Sequence, residues 1–170
     1  MRIYVPTTLD ALTHPWTVPA GDAFAVTASL RRALPGEDEE GLEFAAFHCA
    51  AEEALWCHLD RPGAPALRAV VTVELPDVVV VDGETTESDT EPFPGRVTVT
   101  APQAATSLLA IHVDEPAAAA DVAAALKIAR DLPLGDSDMV PAQFEEACER
   151  VFDRDLLWYD PSELGAIPRP

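Results

Sequence analysis

A chain of 170 residues is most simply one domain, and its 48% apolar content lies within the usual range for globular proteins. Its 30 Asp and Glu residues against 11 Lys and Arg give a formal net charge of −19. That charge argues against a protein that binds nucleic-acid phosphates, anionic membranes or phosphate-rich ligands, and it fits either attraction of a basic partner or adaptation to high salt.

The N-terminal half predicts two strands and two helices. Residues 2–5 and 22–26 predict short strands, and Thr27 lies where the N-cap of the first helix belongs. Residues 38–59 predict a long helix, because acids crowd its N-terminal end and apolar residues recur at helical spacing. These apolar residues form two adjacent stripes, which predict a wide buried face lying across a sheet: Leu42, Ala46, Cys49 and Trp56, with Phe44, Phe47, Ala51 and Leu55.

The C-terminal half predicts further strands and helices around an acidic segment. Residues 82–95 contain five acids, two prolines and no base, which is typical of a solvated loop or insertion. We expect an α+β (or α/β) fold, with residues 1–170 as a single domain and a mixed β-sheet of about five strands carrying the long helix. The other predicted strands are 67–74, 78–81 (continuing 67–74 after Pro76), 96–100, 107–113 and 156–159, and the helices are 117–130, 142–152 and a short one after Asp160.

The cysteine content and the N-terminus predict a cytoplasmic protein. Three cysteines without CxxC spacing suggest reduced thiols. The N-terminus lacks the charged and apolar regions of a signal peptide, and no segment approaches about 18 uninterrupted apolar residues.

Two histidines and two cysteines on the long helix resemble a metal-ligand set in composition only. Residues nine apart on a helix are about 13 Å apart along its axis at a rise of 1.5 Å per residue, so they cannot share one ion. We expect buried thiols and half-exposed imidazoles there, with no metal and no cofactor. The residues concerned are His48, Cys49, Cys57 and His58.

Two regions are candidates for ligand binding. His112 and Asp114 share one face of a strand that leads into a helix, where they would act as a general base or bind a metal; the structural alternative is a packed histidine and a helix cap. Near the C-terminus, Tyr159, Asp160 and Glu163, together with Trp158, would form an aromatic-lined pocket or a partner-binding edge; alternatively, Trp158 packs in the core and the two acids form a capping box.

No motif in the chain specifies a chemistry. Patterns for nucleophile elbows, zinc proteases, dinucleotide binding, phosphate loops and calcium loops do not occur. The acidic turn before Cys148 would raise the pKa of its thiol, which counts against a nucleophile. Whether the protein is an enzyme stays open, with a non-enzymatic role favoured.

Four short blocks resemble a family of uncharacterised actinobacterial proteins: MRIYVPTTLDAL at the start, AFAVTASLR, IHVDEP, and LLWYDPSEL near the end. The resemblance spans most of the chain and implies a single domain from a GC-rich bacterium. It transfers no catalytic residue, and the acidic segment at 82–95 matches nothing in it.

Two hypotheses follow. The first is a non-enzymatic protein-binding or regulatory module that recognises a basic protein. The second is a small enzyme or ligand-binding protein that uses a pocket near His112, Asp114 and residues 158–163. Convergence of His112, Asp114 and Tyr159 in one concave pocket favours the second. Their dispersal, with the acids gathered on a flat face beside exposed apolar residues, favours the first. The oligomeric state is left open.

Overall fold

The computed structural model describes residues 1–13, 15–82, 94–104, 108–132 and 141–169. The helices are α1 (Ala28–Ala33), α2 (Glu39–Trp56), α3 (Ala119–Asp131) and α4 (Ala142–Phe152). Short 3-10 helices span Leu9–Ala11, Asp77–Val79, Pro116–Ala118 and Pro161–Ala166. The strands are β1 (Arg2–Thr8), β2 (Thr17–Val18), β3 (Gly21–Phe24), β4 (Arg68–Glu74), β5 (Val80–Asp82), β6 (Arg96–Val99), β7 (Gln103–Ala104), β8 (Leu108–Asp114) and β9 (Leu156–Tyr159).

The main sheet has seven strands in the order β5-β6-β3-β1-β4-β8-β9, and β2 and β7 form a separate small pair. The predicted α+β class is confirmed. The sheet is larger than the five strands expected, and its pairings are antiparallel where a mixed sheet was expected. The central pair, β1 and β4, runs in register from Arg2 opposite Glu74 to Thr8 opposite Arg68.

The sequence predicted that residues 78–81 continue β4 after Pro76, and this prediction is wrong. The chain turns at Asp77–Val79 after Pro76, and β5 then pairs with β6 at the far edge of the sheet. Proline cannot donate a ladder hydrogen bond, which favours the break in the strand at this point. The two apolar runs therefore lie four strands apart although they are neighbours in sequence.

Alternation along the central strands gives the sheet two buried faces. Ile3 and Val5 of β1 pack into one cluster, which Leu9, Leu164 and other residues outside the main sheet complete. Tyr4, between Ile3 and Val5, faces the opposite cluster, where α1 and α2 cover the sheet. A third cluster joins α3 and α4 to the C-terminal part of α2; its buried members are Leu55, Val122, Ala125, Leu126, Ala147, Cys148 and Val151.

Helix α2 is buried over only part of the face that the sequence predicted. Leu42, Ala46 and Leu55 are buried, whereas Phe44 is 64% exposed and Cys49 and Trp56 are half-buried. Amphipathic spacing identifies the buried side of a helix but not how much of the helix circumference the sheet covers, and Leu42 and Ala46 on either side of Phe44 in sequence are both buried. The exposure of Phe44 places a large aromatic ring at the edge of the α2–sheet interface.

Thr27 is the N-cap of α1, as predicted, and its hydroxyl accepts a hydrogen bond of 3.1 Å from the Leu30 amide. Replacing Thr27 with alanine leaves this buried donor unsatisfied, so we expect the free energy of unfolding to fall by about 1 kcal/mol. Thr27→Ser keeps the acceptor and should lose less. Urea denaturation of both variants measures the difference, and equal losses would contradict a capping role.

The predicted acidic loop at 82–95 lies almost entirely outside the described residues, which stop at residue 82 and resume at 94. The same holds for most of the predicted loop at 131–139. The single-domain assignment therefore stays a prediction. Among the helices that the structure describes, none combines the length and apolarity needed to cross a membrane.

Candidate functional site: an aromatic groove beside helix α2

A groove of about 450 Å³ runs between the N-terminal half of α2 and the uncovered part of the sheet. An irregularity between Thr72 and Val73 of β4 shifts the register of β8, so that Ala110 pairs with Thr72 and Leu108 with Val73. Leu109 is the extra residue at this bulge, and it lies against the groove with 40% of its surface exposed. We call this site the aromatic groove; its main lining residues are Tyr4, Phe44, Phe47, Leu109, Ala110 and His112.

The rings of the groove contact one another. Phe47 lies at the centre, with its ring centroid 6.0 Å from that of Tyr4 and 4.7 Å from that of His112. His48 on the exposed side of α2 contacts Phe47 at 5.8 Å and Phe44 at 4.2 Å. Such tilted and edge-on arrangements are favourable for aromatic pairs. The sheet and the helix therefore share one aromatic cluster, open to solvent at Phe44.

Charged side chains lie on the rim of the groove. Glu43 forms a 2.6 Å ion pair with Arg2, which also lines the groove, and Glu40 is exposed one turn earlier on α2. Burial, helped by the charge of Glu43, raises the pKa of Tyr4, so the phenol in the groove floor is neutral near pH 7. The groove therefore combines a neutral aromatic floor with a rim on which Arg2 offsets Glu43 and Glu40 adds one negative charge.

His112, predicted as a ligand-binding residue, lies in the floor of this groove. Its Nδ1 is buried without a hydrogen-bond partner among the described residues. Burial lowers the pKa of the imidazole, against an opposing hydrogen bond with the Val70 backbone. At neutral pH His112 is thus an uncharged ring packed against Phe47.

Asp114 shares the face of β8 with His112, as the alternation predicted, but its carboxylate is occupied. Three nitrogens of Arg68 donate to it: the backbone N to Oδ2 at 2.7 Å, a terminal guanidinium nitrogen to Oδ1 at 2.8 Å, and Nε to Oδ2 at 3.1 Å and Oδ1 at 3.2 Å. Both side chains are almost fully buried. Burial raises the pKa of Asp114, whereas the charge and hydrogen bonds of Arg68 lower it. The pair fixes β4 against β8 and leaves no free carboxylate oxygen facing a pocket.

The same arginine ties β8 to the chain that precedes β9. The guanidinium of Arg68 also donates to the carbonyl oxygen of Arg154 at 3.0 Å. The side chain of Arg154 forms ion pairs with Asp121 at 2.6 Å and Glu115 at 3.1 Å. This network holds the start of β9 beside the end of β8.

The remaining predicted site residues do not line the aromatic groove. Tyr159 pairs with Ile111 and packs against the core on the opposite face of the sheet. Asp160 caps the final 3-10 helix by accepting from the Ser162 amide at 2.9 Å, and Glu163 accepts from the Asp160 amide at 2.8 Å. These two acids therefore form the capping box that the sequence suggested; a ligand role for them stays a prediction.

The sequence predicts that Trp158 lines a pocket or forms a partner-binding edge, or alternatively that it packs in the core. It is 60% exposed, so it does not pack in the core. Its register partner is His112, which places the indole beside the aromatic groove on the same face of the sheet. Trp158 thus adds a third exposed apolar side chain beside His112, next to Phe44 and Leu109 of the groove lining.

The four histidine and cysteine residues of α2 and the turn after it are dispersed. His48 lies on the exposed side of α2, whereas His58 is 1% exposed in the turn that follows the helix. Burial raises the pKa of the Cys49 and Cys57 thiols to about 11. In the described ranges, no three His, Cys, Asp or Glu side chains lie close enough to hold one metal ion.

His58 carries two buried ring nitrogens without hydrogen-bond partners in the described part of the chain. Burial, reinforced by the charge of Arg130 and opposed by that of Asp10, lowers its pKa. Because the unfolded chain then binds more protons, this histidine makes stability fall as the pH drops below about 6.5. Removing the unpaired group also recovers part of its desolvation cost.

We therefore expect His58→Leu to raise the free energy of unfolding at pH 7 by about 1 kcal/mol and to reduce the loss of stability toward acidic pH. Denaturant titrations between neutral and acidic pH measure both effects. His48→Leu, on the exposed side of α2, is the control and should change neither. A destabilised His58→Leu protein with an unaltered pH profile would contradict this assignment.

Sequence reasoning missed the groove because it assigned Phe44 and Phe47 to a fully buried face of α2. The signal available in the sequence was the concentration of aromatic residues at 44–48 next to acids at 39–43, a composition more typical of a binding rim than of a core. Leu109 could not be anticipated, because its exposure depends on the bulge opposite Thr72 and Val73.

The fold and the groove define an acidic α+β protein whose antiparallel sheet exposes an aromatic surface beside its central helix. The chain belongs to a family of unknown function, DUF6912, whose model matches residues 1–167. This membership agrees with the expected resemblance to an uncharacterised family. Searches of curated proteins and of solved structures found no match.

Proposed function

We propose that this protein is a non-enzymatic binding module that recognises a basic protein through the aromatic groove. The observation that carries the proposal is the exposure of Phe44 and Leu109 in the lining of the groove, with the exposed Trp158 on the neighbouring strand opposite His112. Isolated apolar residues are normal on protein surfaces, but a contiguous apolar surface with a polar rim marks an interaction site. Aromatic residues of this kind supply much of the binding energy in protein interfaces.

Charge determines the class of partner. Glu40 and the Arg2–Glu43 ion pair lie on the rim, and the chain as a whole carries a net charge of −19. This field repels acidic proteins and speeds encounter with basic ones. A segment with apolar side chains for the groove and Lys or Arg beside them therefore complements both features.

Position-specific photo-crosslinking in cells that express the protein tests the proposal. A photo-reactive phenylalanine analogue replaces Phe44 at the mouth of the groove, and in a matched control it replaces Leu59. Leu59 is also exposed, at 42%, but lies beyond the other end of α2. We expect one basic protein to be captured at position 44 and not at position 59. When the crosslinking is repeated in lysates of the same cells, the yield at position 44 should fall as salt rises.

A captured protein must then bind the purified chain. Glu40→Gln should weaken this binding modestly and reduce its salt dependence, because the variant removes one rim charge. Equal capture at positions 44 and 59, or capture of an acidic protein at position 44, would contradict the proposal.

A small-ligand site in the same groove is the second candidate. The volume of about 450 Å³ is within the range of small-molecule sites, and the unpartnered Nδ1 of His112 offers one polar anchor. The engagement of Asp114 with Arg68 and the location of Tyr159 on the other face make the protein-binding role the stronger one. A metabolite thermal-shift screen that stabilises the wild type but not His112→Phe would favour the ligand site.

The setting that we propose is the cytoplasm of an actinobacterium. Three cysteines without CxxC spacing support a reducing compartment. Detection of the protein in a fractionated bacterial culture tests this placement, and recovery from a secreted fraction would contradict it.

A further inference from the structure

Strand β9 is an edge of the main sheet. It pairs with β8 on one side, from Asp114 opposite Leu156 to Ile111 opposite Tyr159, and no described strand lies on the other side. Edge strands present unpaired backbone groups and are templates for pairing with another chain. β9 also carries Trp158, so this edge borders the exposed apolar surface around the aromatic groove.

The direction of the backbone groups follows from the register. The Glu115 amide donates to the carbonyl oxygen of Asp155, which places residue 155 in a hydrogen-bonded pair with β8. Because such pairs alternate in antiparallel sheets, the N–H and C=O groups of Leu156 and Trp158 point away from β8. Among the described residues, nothing bonds to these outward groups. The next outward amide, that of Asp160, is satisfied by Glu163.

The strand lacks the features that normally protect an edge. Its residues, Leu156–Tyr159, include no charged residue and no proline. Leu157 is 42% exposed and Trp158 is 60% exposed, and they lie on opposite faces of the sheet. Natural edges usually carry lysine, proline or a bulge instead. An incoming strand therefore meets both open backbone groups and apolar side chains.

Carboxylates flank this open strand. Asp153 and Asp155 precede it and Asp160 and Glu163 follow it, all exposed, while Arg154 between the first two is engaged by Asp121 and Glu115. Antiparallel pairing of two copies through β9 would bring Asp155 of one copy toward Asp160 of the other. Repulsion between like charges at both ends opposes such a dimer. A strand from a different partner with positively charged ends would instead be attracted to the carboxylates.

We infer that β9 accepts an extended segment of the basic partner as an eighth strand of the sheet. The segment pairs with the outward groups of Leu156 and Trp158, places an apolar side chain beside Trp158 toward the aromatic groove, and carries Lys or Arg near both ends. This inference rests on the proposed function and specifies its binding mode as strand addition.

A selection from displayed random peptides, against the full chain, supplies the probe. We expect the selected peptides to alternate apolar residues between basic ends. On binding, the amides of Leu156 and Trp158 should slow in hydrogen exchange by about tenfold or more. Trp158→Val and Trp158→Pro both remove the indole, but only proline removes the outward N–H, so the proline variant should bind at least about tenfold more weakly than the valine variant.

The outcomes separate this inference from the proposed function. Peptides that slow exchange of the Phe44 and Leu109 amides but leave the Leu156 and Trp158 amides unprotected would overturn strand addition. They would leave the groove proposal standing. Selection of no basic peptide would overturn both. Protection of the two amides without peptide, rising with protein concentration, would show a second copy as the occupant and overturn the inference. The exchange measurement on the wild type decides the question even if Trp158→Pro fails to fold.

Discussion

Replacing Asp114 with asparagine is expected to lower the free energy of unfolding by about 3–5 kcal/mol. The variant keeps the shape of the side chain but leaves the buried guanidinium of Arg68 without its counter-charge. Both groups are already removed from water in the folded state. Breaking this pair therefore lowers the free energy of unfolding far more than breaking an exposed pair does. Urea or thermal denaturation monitored by circular dichroism measures the loss.

Two variants control this prediction. Glu39→Gln breaks the Arg31–Glu39 pair, whose 2.7 Å distance is similar but whose side chains are exposed, so the unfolding midpoint should hardly move. The double variant Arg68→Met/Asp114→Leu removes both charges and should recover much of the stability lost in Asp114→Asn. An Asp114→Asn protein as stable as Glu39→Gln would show that the buried pair does not hold β4 and β8 together.

The double variant Phe44→Ala/Trp158→Ala is expected to weaken binding of the captured basic protein by about a hundredfold or more. Both rings are largely exposed in the free protein, so they contribute little to its core but are available to a partner. Truncation removes apolar contact area that only the complex buries. Isothermal titration calorimetry of wild type and variant gives the ratio of dissociation constants.

Leu59→Ala is the matched control for that experiment, because it also removes an exposed apolar side chain but lies away from the groove. It should bind as wild type does. The double variant should unfold at nearly the wild-type denaturant concentration. A double variant that binds normally, or one that binds weakly only because it has unfolded, would contradict a direct role for the two rings.

Much of the fold could be predicted because its signals are local. The acids and apolar spacing of α2, the N-cap at Thr27 and the capping box at Asp160 each depend on residues within a few positions of one another. The alternation that places His112 and Asp114 on one face is equally local. The sequence therefore predicts these features without any information on tertiary contacts.

The features that sequence reasoning missed depend on residues far apart in the chain. Arg68 and Asp114 are 46 positions apart, so no local sequence pattern predicts that they form an ion pair. Phe44 is exposed because the sheet beneath the N-terminal half of α2 leaves a groove there, and β5 lies at the opposite edge because its partner is β6. Each outcome is set by strand order, which hydrophobic periodicity does not encode.

Hydrogen exchange of the complex tests most directly whether the aromatic groove binds a basic protein segment. Amides of residues 40–48 in α2 and 108–112 in β8 should slow when the captured partner is added, while those of α3 remain unchanged. Protection confined to α3 and α4, or no protection at saturating partner, would show that the partner does not bind the aromatic groove.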